Sequence, residues 1–130
     1  MGNKIRLLLV EDEIITAMYM KAELEKAGFI ITENVTTGEK AVTSCKEKKP
    51  DMILMDIMLA GKIDGIEAAS IIKNSERIPV PVIFCTAYED SEIKKRAEEI
   101  KPVAFLLKPL DMNKLKTLIE NWFMSNYITL

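Results

Sequence analysis

The chain predicts an α/β fold in which five βα units build one doubly wound parallel sheet, and three observations carry that expectation. Short apolar runs alternate with longer stretches of helical period, the pattern of βα units. Glycine and proline punctuate the joins, at Gly28, Pro50, Pro79, Pro81 and Pro102. Four of the apolar runs end in Glu11-Asp12, Asp56, Thr86 and Lys108, and in a parallel sheet the C-terminal strand ends share one edge. With 130 residues, 48% hydrophobic and 29% charged, the chain suits a single core, so residues 1–130 read as one domain with 124–130 as a C-terminal tail.

The first strand spans about Lys4 to Val10. A helix follows from near Ile14 to Ala27, with Ala17, Met20, Leu24 and Ala27 on one face, and Gly28 stops it. The second strand is about Phe29 to Val35. Thr37-Gly38-Glu39-Lys40 opens a second helix with Ala41, Val42 and Cys45 facing in, and Lys48-Lys49-Pro50 ends it because proline excludes continuation. The third strand is Met52 to Met55. After a loop from Ile57 to Ile63, Asp64 caps a third helix that turns Ile66, Ala69 and Ile72 inward. Pro79 and Pro81 precede the fourth strand, Val82 to Cys85, since a missing N–H is tolerable only at its beginning. The fourth helix runs from about Ser91 to Ile100, with Ile93, Ala97 and Ile100 on one face. Pro102 leads into the fifth strand, Val103 to Leu107, and Asp111 caps a fifth helix in which Leu115, Leu118, Ile119 and Trp122 repeat at helical spacing. Beyond Phe123 no pattern continues.

Right-handed crossovers leave few topologies for five βα units, and the order 2-1-3-4-5 is the common one at this size. It sets the first and third strands side by side, so Asp12 and Asp56 become neighbours, with Thr86 next and Lys108 one strand beyond. The end of the second strand, Asn34-Val35-Thr36, lies outside this cluster and carries no acid or lysine. Sequence and topology therefore agree.

Composition narrows the chemistry. The formal net charge is −2 with basic residues scattered among acidic ones, which speaks against direct nucleic-acid binding and attraction to an anionic membrane. Ile5 to Val10 is too short for a membrane span or signal core, and Gly2 is followed by Arg6 where a myristoylation motif wants Ser or Thr. The chain has no histidine, which excludes histidine acid/base catalysis, a Ser/His/Asp triad and histidine metal ligation. Cys45 and Cys85 lack the spacing of zinc or redox motifs and read as buried free thiols, compatible with the cytoplasm.

Singly, each edge residue has an ordinary reading: Asp12 as a helix cap, Thr86 as a turn hydroxyl, Lys108 as a solvated lysine, Asp56 as a loop acid. Together they suit one chemistry. Carboxylates held close repel one another and call for a hard divalent cation with oxygen ligands, for which magnesium is suited because it keeps open positions for phosphate oxygens. A carboxylate nucleophile at Asp56, that metal, a lysine and a hydroxyl make a site for phosphoryl transfer.

Glu11-Asp12, Asp56, Thr86-Ala87 and Lys108-Pro109, with Phe105 three residues before the lysine, resemble the receiver domain of two-component response regulators over nearly the whole chain. The likeness is to the single-domain, chemotaxis-regulator type, which has a flavodoxin-like (βα)5 fold. It implies that Asp56 accepts a phosphoryl group from a phosphohistidine on a sensor histidine kinase or a phosphotransfer protein. Mg2+ would be bound by Asp12, Asp56 and the carbonyl of Met58, with Glu11 acting mainly through a metal-bound water. Thr86, Ala87 and Lys108 would contact the phosphoryl group, and Thr86 and Phe105 would form the switch. Pro109 would follow a cis peptide. The fourth helix, fifth strand and fifth helix would then present a changed face to a downstream protein target or to a second copy of the chain. The resemblance thus implies a signalling phosphoacceptor that would assist only its own phosphorylation and dephosphorylation, not an enzyme.

Two departures stand out. Ile57 to Gly65 is one residue longer than the commoner receiver loop, with Ala60-Gly61 where proline is frequent, and Glu11 replaces an aspartate. Met58 and Tyr88 lie two residues after Asp56 and Thr86 and are expected to shield the acyl phosphate from water. Three other readings suit the residues less well. A haloacid dehalogenase-like hydrolase wants a second acid where Met58 stands; Glu11 and Asp12 would repel a flavin phosphate; a vestigial scaffold would not need the full acid, threonine and lysine set.

Overall fold

The computed structural model describes residues 4–128. Five parallel strands, β1 (Arg6–Val10), β2 (Ile30–Val35), β3 (Met52–Met55), β4 (Val82–Thr86) and β5 (Ala104–Leu107), form one sheet in the order β2-β1-β3-β4-β5. Around it lie α1 (Ile14–Lys26), α2 (Gly38–Lys48), α3 (Gly65–Ser70), α4 (Ser91–Glu99) and α5 (Met112–Ile128). This is the doubly wound fold expected from the sequence.

The central strands read as continuous apolar runs because both of their faces are covered. Leu8, Val10, Ile53, Met55 and Phe84 pack with Ala41 and Cys45 of α2, Ile66 and Ala69 of α3 and Ala97 of α4. On the opposite face Leu7, Leu9, Met52, Leu54 and Ile83 pack with Ala17, Met20 and Leu24 of α1 and Leu115, Ile119 and Phe123 of α5. Alternate residues of each strand thus serve different layers. The central strands β1, β3 and β4 carry almost only apolar residues inside the sheet, so the polar side chains they supply to the site emerge at their ends.

Local signals set the helix limits. Gly28, at φ +99°, ends α1, and Lys49, at φ 49°, closes α2 before Pro50. Asp64 caps α3 through a reciprocal box: its Oδ1 accepts from the Glu67 amide at 2.8 Å while Glu67 Oε1 accepts from the Asp64 amide at 3.0 Å. Asp90 Oδ1 caps α4 at 2.9 Å, and Asp111 Oδ1 accepts from the Lys114 amide at 3.1 Å at the start of α5. Cys45 and Cys85 are free and buried, and burial pushes their thiols up to about 11 and about 12.

Two features depart from the sequence pattern. Helix α5 continues to Ile128, well past Phe123; no glycine or proline interrupts 124–128, so propagation costs little once the helix is established. The rest of the expected tail, 129–130, lies outside the described residues. After α3 the chain widens into a π-helical turn, Ile71–Ser75, which keeps Ile72 buried as expected but carries Lys73 outward. Among the described residues no helix is long and apolar enough to cross a membrane.

Candidate functional site

The site grows from three strand ends. At the end of β1 the Glu11 amide donates to the Val35 carbonyl at 3.0 Å, and at the end of β3 the Asp56 amide donates to Val10 at 3.0 Å, which holds the two carboxylates side by side. The Lys108 amide donates to the Thr86 carbonyl at 2.8 Å, extending the β4–β5 ladder to the residue whose side chain reaches inward. The Lys108–Pro109 peptide is cis. Asp12 is not the cap of α1: that position is Glu13, without a side-chain cap, which leaves the Asp12 carboxylate available to the site.

Lys108 Nζ donates to Glu11 Oε1 at 2.5 Å and to Asp56 Oδ2 at 2.8 Å. The other Asp56 oxygen, Oδ1, accepts from the Ile57 amide at 2.7 Å, and Glu11 Oε2 accepts from the Glu13 amide at 3.1 Å. Asp12 Oδ2 accepts from the Ala60 amide at 3.0 Å. Carboxylate oxygens of Glu11, Asp12 and Asp56 lie within 4.8 Å of one another. Glu11 and Asp56 are buried, Asp12 partly so. Burial raises the Glu11 carboxyl above its ordinary value; the Lys108 hydrogen bond opposes this and the nearby Asp56 charge adds to it. Burial disfavours the Lys108 ammonium, yet the hydrogen bonds to Asp56 and Glu11 outweigh it and the net direction is upward.

One ammonium therefore faces three carboxylates, a charge deficit that a hard divalent cation would relieve. The donor set, all carboxylate oxygen, fits Mg2+.

The remaining expected residues are placed less uniformly. Thr86 is fully buried, and its hydroxyl accepts from the Tyr88 amide at 3.3 Å, so it is engaged beside the site, not with the carboxylates. Ala87 is exposed directly after it, and Met58 and Tyr88 are 48% and 53% exposed at the rim. Phe105 is half-buried and packs against the core layer that holds Phe84 and Ala97 of α4. Pro109 is exposed beside Lys108.

Two contributors carried no clear sequence signal. The Ala60 amide reaches Asp12 from the loop before α3, which also forms an isolated bridge between Ala60 and Thr37. Gly65 lies so close under the Asp56 carbonyl that a Cβ there would stand 2.0 Å from its oxygen. The Asp-Gly pair at the start of α3 was the only local hint.

Comparison with known proteins identifies the family and the fold. The profile described as "Response regulator receiver domain" matches residues 7–120. The transcriptional regulatory protein PdtaR of Mycobacterium tuberculosis is 34% identical over 115 residues, covering 88% of this chain and 55% of PdtaR, so the chain spans about half of that relative. The signal receiver domain of a modulated diguanylate cyclase from Desulfovibrio desulfuricans G20 superposes with a TM-score of 0.88 at 30% identity, covering 98% of this chain and all of that one. A CheX-CheY-BeF3-Mg+2 complex from Borrelia burgdorferi gives 0.82 at 26% identity, with 92% and 89% coverage.

Proposed function

The chain belongs to the response regulator receiver domain family, and on that basis we propose that Asp56 accepts a phosphoryl group from the phosphohistidine of a sensor kinase or phosphotransfer protein. The observation that carries the reading is the Asp56 carboxylate held at the sheet edge between the Lys108 ammonium and two further acids. In the transfer an Asp56 oxygen attacks phosphorus, the O–P bond forms, the P–N bond breaks, and the donor imidazole leaves with the electron pair. Glu11, Asp12, Asp56 and the Met58 carbonyl would hold Mg2+, whose chemistry is to offset charge on the phosphoryl oxygens. The Borrelia complex pairs Mg2+ with BeF3, which supports such a site in a relative.

Lys108 already spans Glu11 and Asp56, so the new phosphoryl oxygens meet an ammonium fixed in place, at little reorganisation cost. The Thr86 hydroxyl, now held by the Tyr88 amide, turns toward the phosphoryl group; Phe105 then rotates into the vacated space, and the face of α4, β5 and α5 changes for a downstream target or a second copy. The domain signals and does not turn over an external substrate. Its buried free thiols suit the cytoplasm.

A donor has to bring its imidazole to this edge. Ile14, Ile15, Met18 and Tyr19 of α1 are 56–83% exposed, and a shallow groove joins this apolar patch to Lys108 and Pro109. That patch is the donor's docking surface. Ile15→Glu is expected to slow transfer from the phosphorylated donor while leaving phosphorylation by acetyl phosphate unchanged.

The deciding experiment is intact mass after incubation with acetyl phosphate, with and without Mg2+, for the wild type and Asp56→Asn. A Mg2+-dependent gain of one phosphoryl group that vanishes in the variant is the expected result. If the folded wild type gains none from acetyl phosphate or from phosphorylated histidine donors, the reading fails.

A further inference from the structure

We propose that the cleft at the opposite end of the sheet is a second binding site, for a small molecule with an apolar body and a carboxylate. The cleft lies where β4 and β5 begin, with Val82 and Val103 in its floor, whereas Asp56, Thr86 and Lys108 stand at the strands' other ends. Its volume is about 330 Å³, within the range of small-molecule pockets. An apolar cavity of roughly 150 Å³ takes one benzene ring, so this one has room for a body about twice that size.

The walls are preformed. Pro79, Pro81 and Pro102, three of the chain's five prolines, line the cleft and hold its backbone rigid. The backbone around it is irregular in three places. The π-helical turn Ile71–Ser75 brings Ile72 and Lys73 to the wall, and such turns recur at functional sites. Arg77, between that turn and Pro79, and Lys101, in the wall itself, each adopt φ 57°, a conformation costly for residues with a Cβ. Regular packing would not require these features; the turn and Lys101 line the cleft, and Arg77 lies in the segment that joins the turn to Pro79 of its wall.

The charged residues that line the cleft have one sign. Lys73 and Lys101 line it, its described lining contains no acid, and neither lysine forms an ion pair among the described residues. The nearby Glu76 is committed to Lys46 at 3.3 Å. Lys73 Nζ donates to the Ile100 carbonyl at 2.9 Å, which holds the ammonium at the rim with N–H groups to spare. An apolar body in the cleft would place a carboxylate between these two cations. Nothing in this proposal depends on Asp56.

The sole tryptophan, Trp122, lines the cleft and reports occupancy directly. The test titrates the full chain with octanoate and with octanol, its neutral counterpart, reading Trp122 emission and amide NMR shifts. Octanoate is expected to saturate, with shifts at Ile72, Lys101 and Val103, and to bind about fivefold or more tighter than octanol, as partly exposed ion pairs allow. Lys73→Gln combined with Lys101→Gln should remove that preference while octanol binds as before; glutamine keeps a donor for the Ile100 carbonyl. Val80→Phe, which fills the cleft, should abolish both. Equal binding of octanoate and octanol, or no saturable response up to about 10 mM, would overturn the proposal.

Discussion

Gly65→Ala isolates the contact on which the geometry of the nucleophile rests. A Cβ at this position would stand 2.0 Å from the Asp56 carbonyl oxygen and 2.9 Å from Met55 Cγ, where ordinary contact begins at 3.4 Å, so helix and carbonyl must separate by about 1.4 Å. Neither side yields easily. The Gly65 amide is tied to the Ile57 carbonyl at 2.8 Å, and the Asp56 amide is tied to Val10. Overpacking of this kind costs about 3 kcal/mol, while alanine's better helix propensity returns about 1 kcal/mol. The net loss is about 2 kcal/mol, a fall in Tm on the order of 8 °C. The effect on transfer is larger in proportion, because a displacement of about 1 Å at a reacting group can cost about 100-fold in rate. Urea unfolding and acetyl phosphate kinetics measure both. Gly28→Ala is the control: it meets no atom within 4 Å and suffers only from φ +99°, so it should cost about 1 kcal/mol and leave phosphorylation alone. A Gly65→Ala protein within about 0.5 kcal/mol of wild type and phosphorylated at the wild-type rate would refute the account of how Asp56 is placed.

Removing the ammonium that shares two of the metal-competent carboxylates should have opposite effects on binding and reaction: Lys108→Met is expected to bind Mg2+ about tenfold tighter by titration and to accept phosphate about 100-fold more slowly. The folded-state pKa of Lys108 is raised, so its contribution to stability is fully present below 10.5 and is lost as pH rises through the folded value. The stability difference between wild type and Lys108→Met should therefore hold constant from neutral pH to about pH 10 and change as pH rises further, as followed by denaturant midpoints. Asp64 both caps α3 and pairs with Arg96 at 3.0 Å, and the Arg96 side chain is 43% exposed. Asp64→Ala should cost about 1–2 kcal/mol and Arg96→Ala less than about 1 kcal/mol, with equal losses counting against the cap as the main term. Replacing Met58 and Tyr88 together with small polar residues should shorten the phosphoryl half-life several-fold, about 1 kcal/mol of barrier; an unchanged half-life would remove them as a water shield.

The legible parts of this molecule are those in which one physical cause acts locally. Strands β1, β3 and β4 are buried on both faces and appear in the chain as unbroken apolar runs. The caps at Asp64 and Asp111 and the stop at Gly28 follow from backbone groups within a few residues. Glu11, Asp12, Asp56 and Lys108 converge because parallel topology leaves little freedom in where strand ends fall. Edge strand β2 is less plain, since Ile30 is 42% exposed and its pairing with β1 shifts between Leu7 and Leu8. The π turn was invisible because Ile71-Ile72-Lys73-Asn74-Ser75 contains no glycine or proline; its extra residue is accommodated by non-local packing and by Arg77 beyond it. The approach of Gly65 to Asp56 and of Ala60 to Asp12 likewise depends on elements brought together only in the fold.

The loop between Asp56 and α3 is pinned at both ends. Its near end is fixed by the Asp56 side chain, whose Oδ1 holds the Ile57 amide, and its far end by the Gly65 amide on the Ile57 carbonyl, so both ends meet at the same residue. The tip lies between them. There Gly61 takes φ +97°, the Lys62 amide donates to Glu39 Oε2 at 3.0 Å, and Ala60 bridges to Thr37. The tip thus leans on the start of α2 without displacing the nucleophile. It also spends the Ala60 amide on Asp12 Oδ2, an oxygen of one of the three carboxylates in the metal-competent cluster. A cation drawing on that oxygen weakens the hold on Ala60, so occupancy of the acidic cluster and the order of the loop tip are linked. Amide exchange at Ala60 and Lys62 should accordingly speed up on adding Mg2+, whereas exchange at Gly65, anchored to Ile57, should not; equal responses at all three would mean that the tip and the cluster are independent.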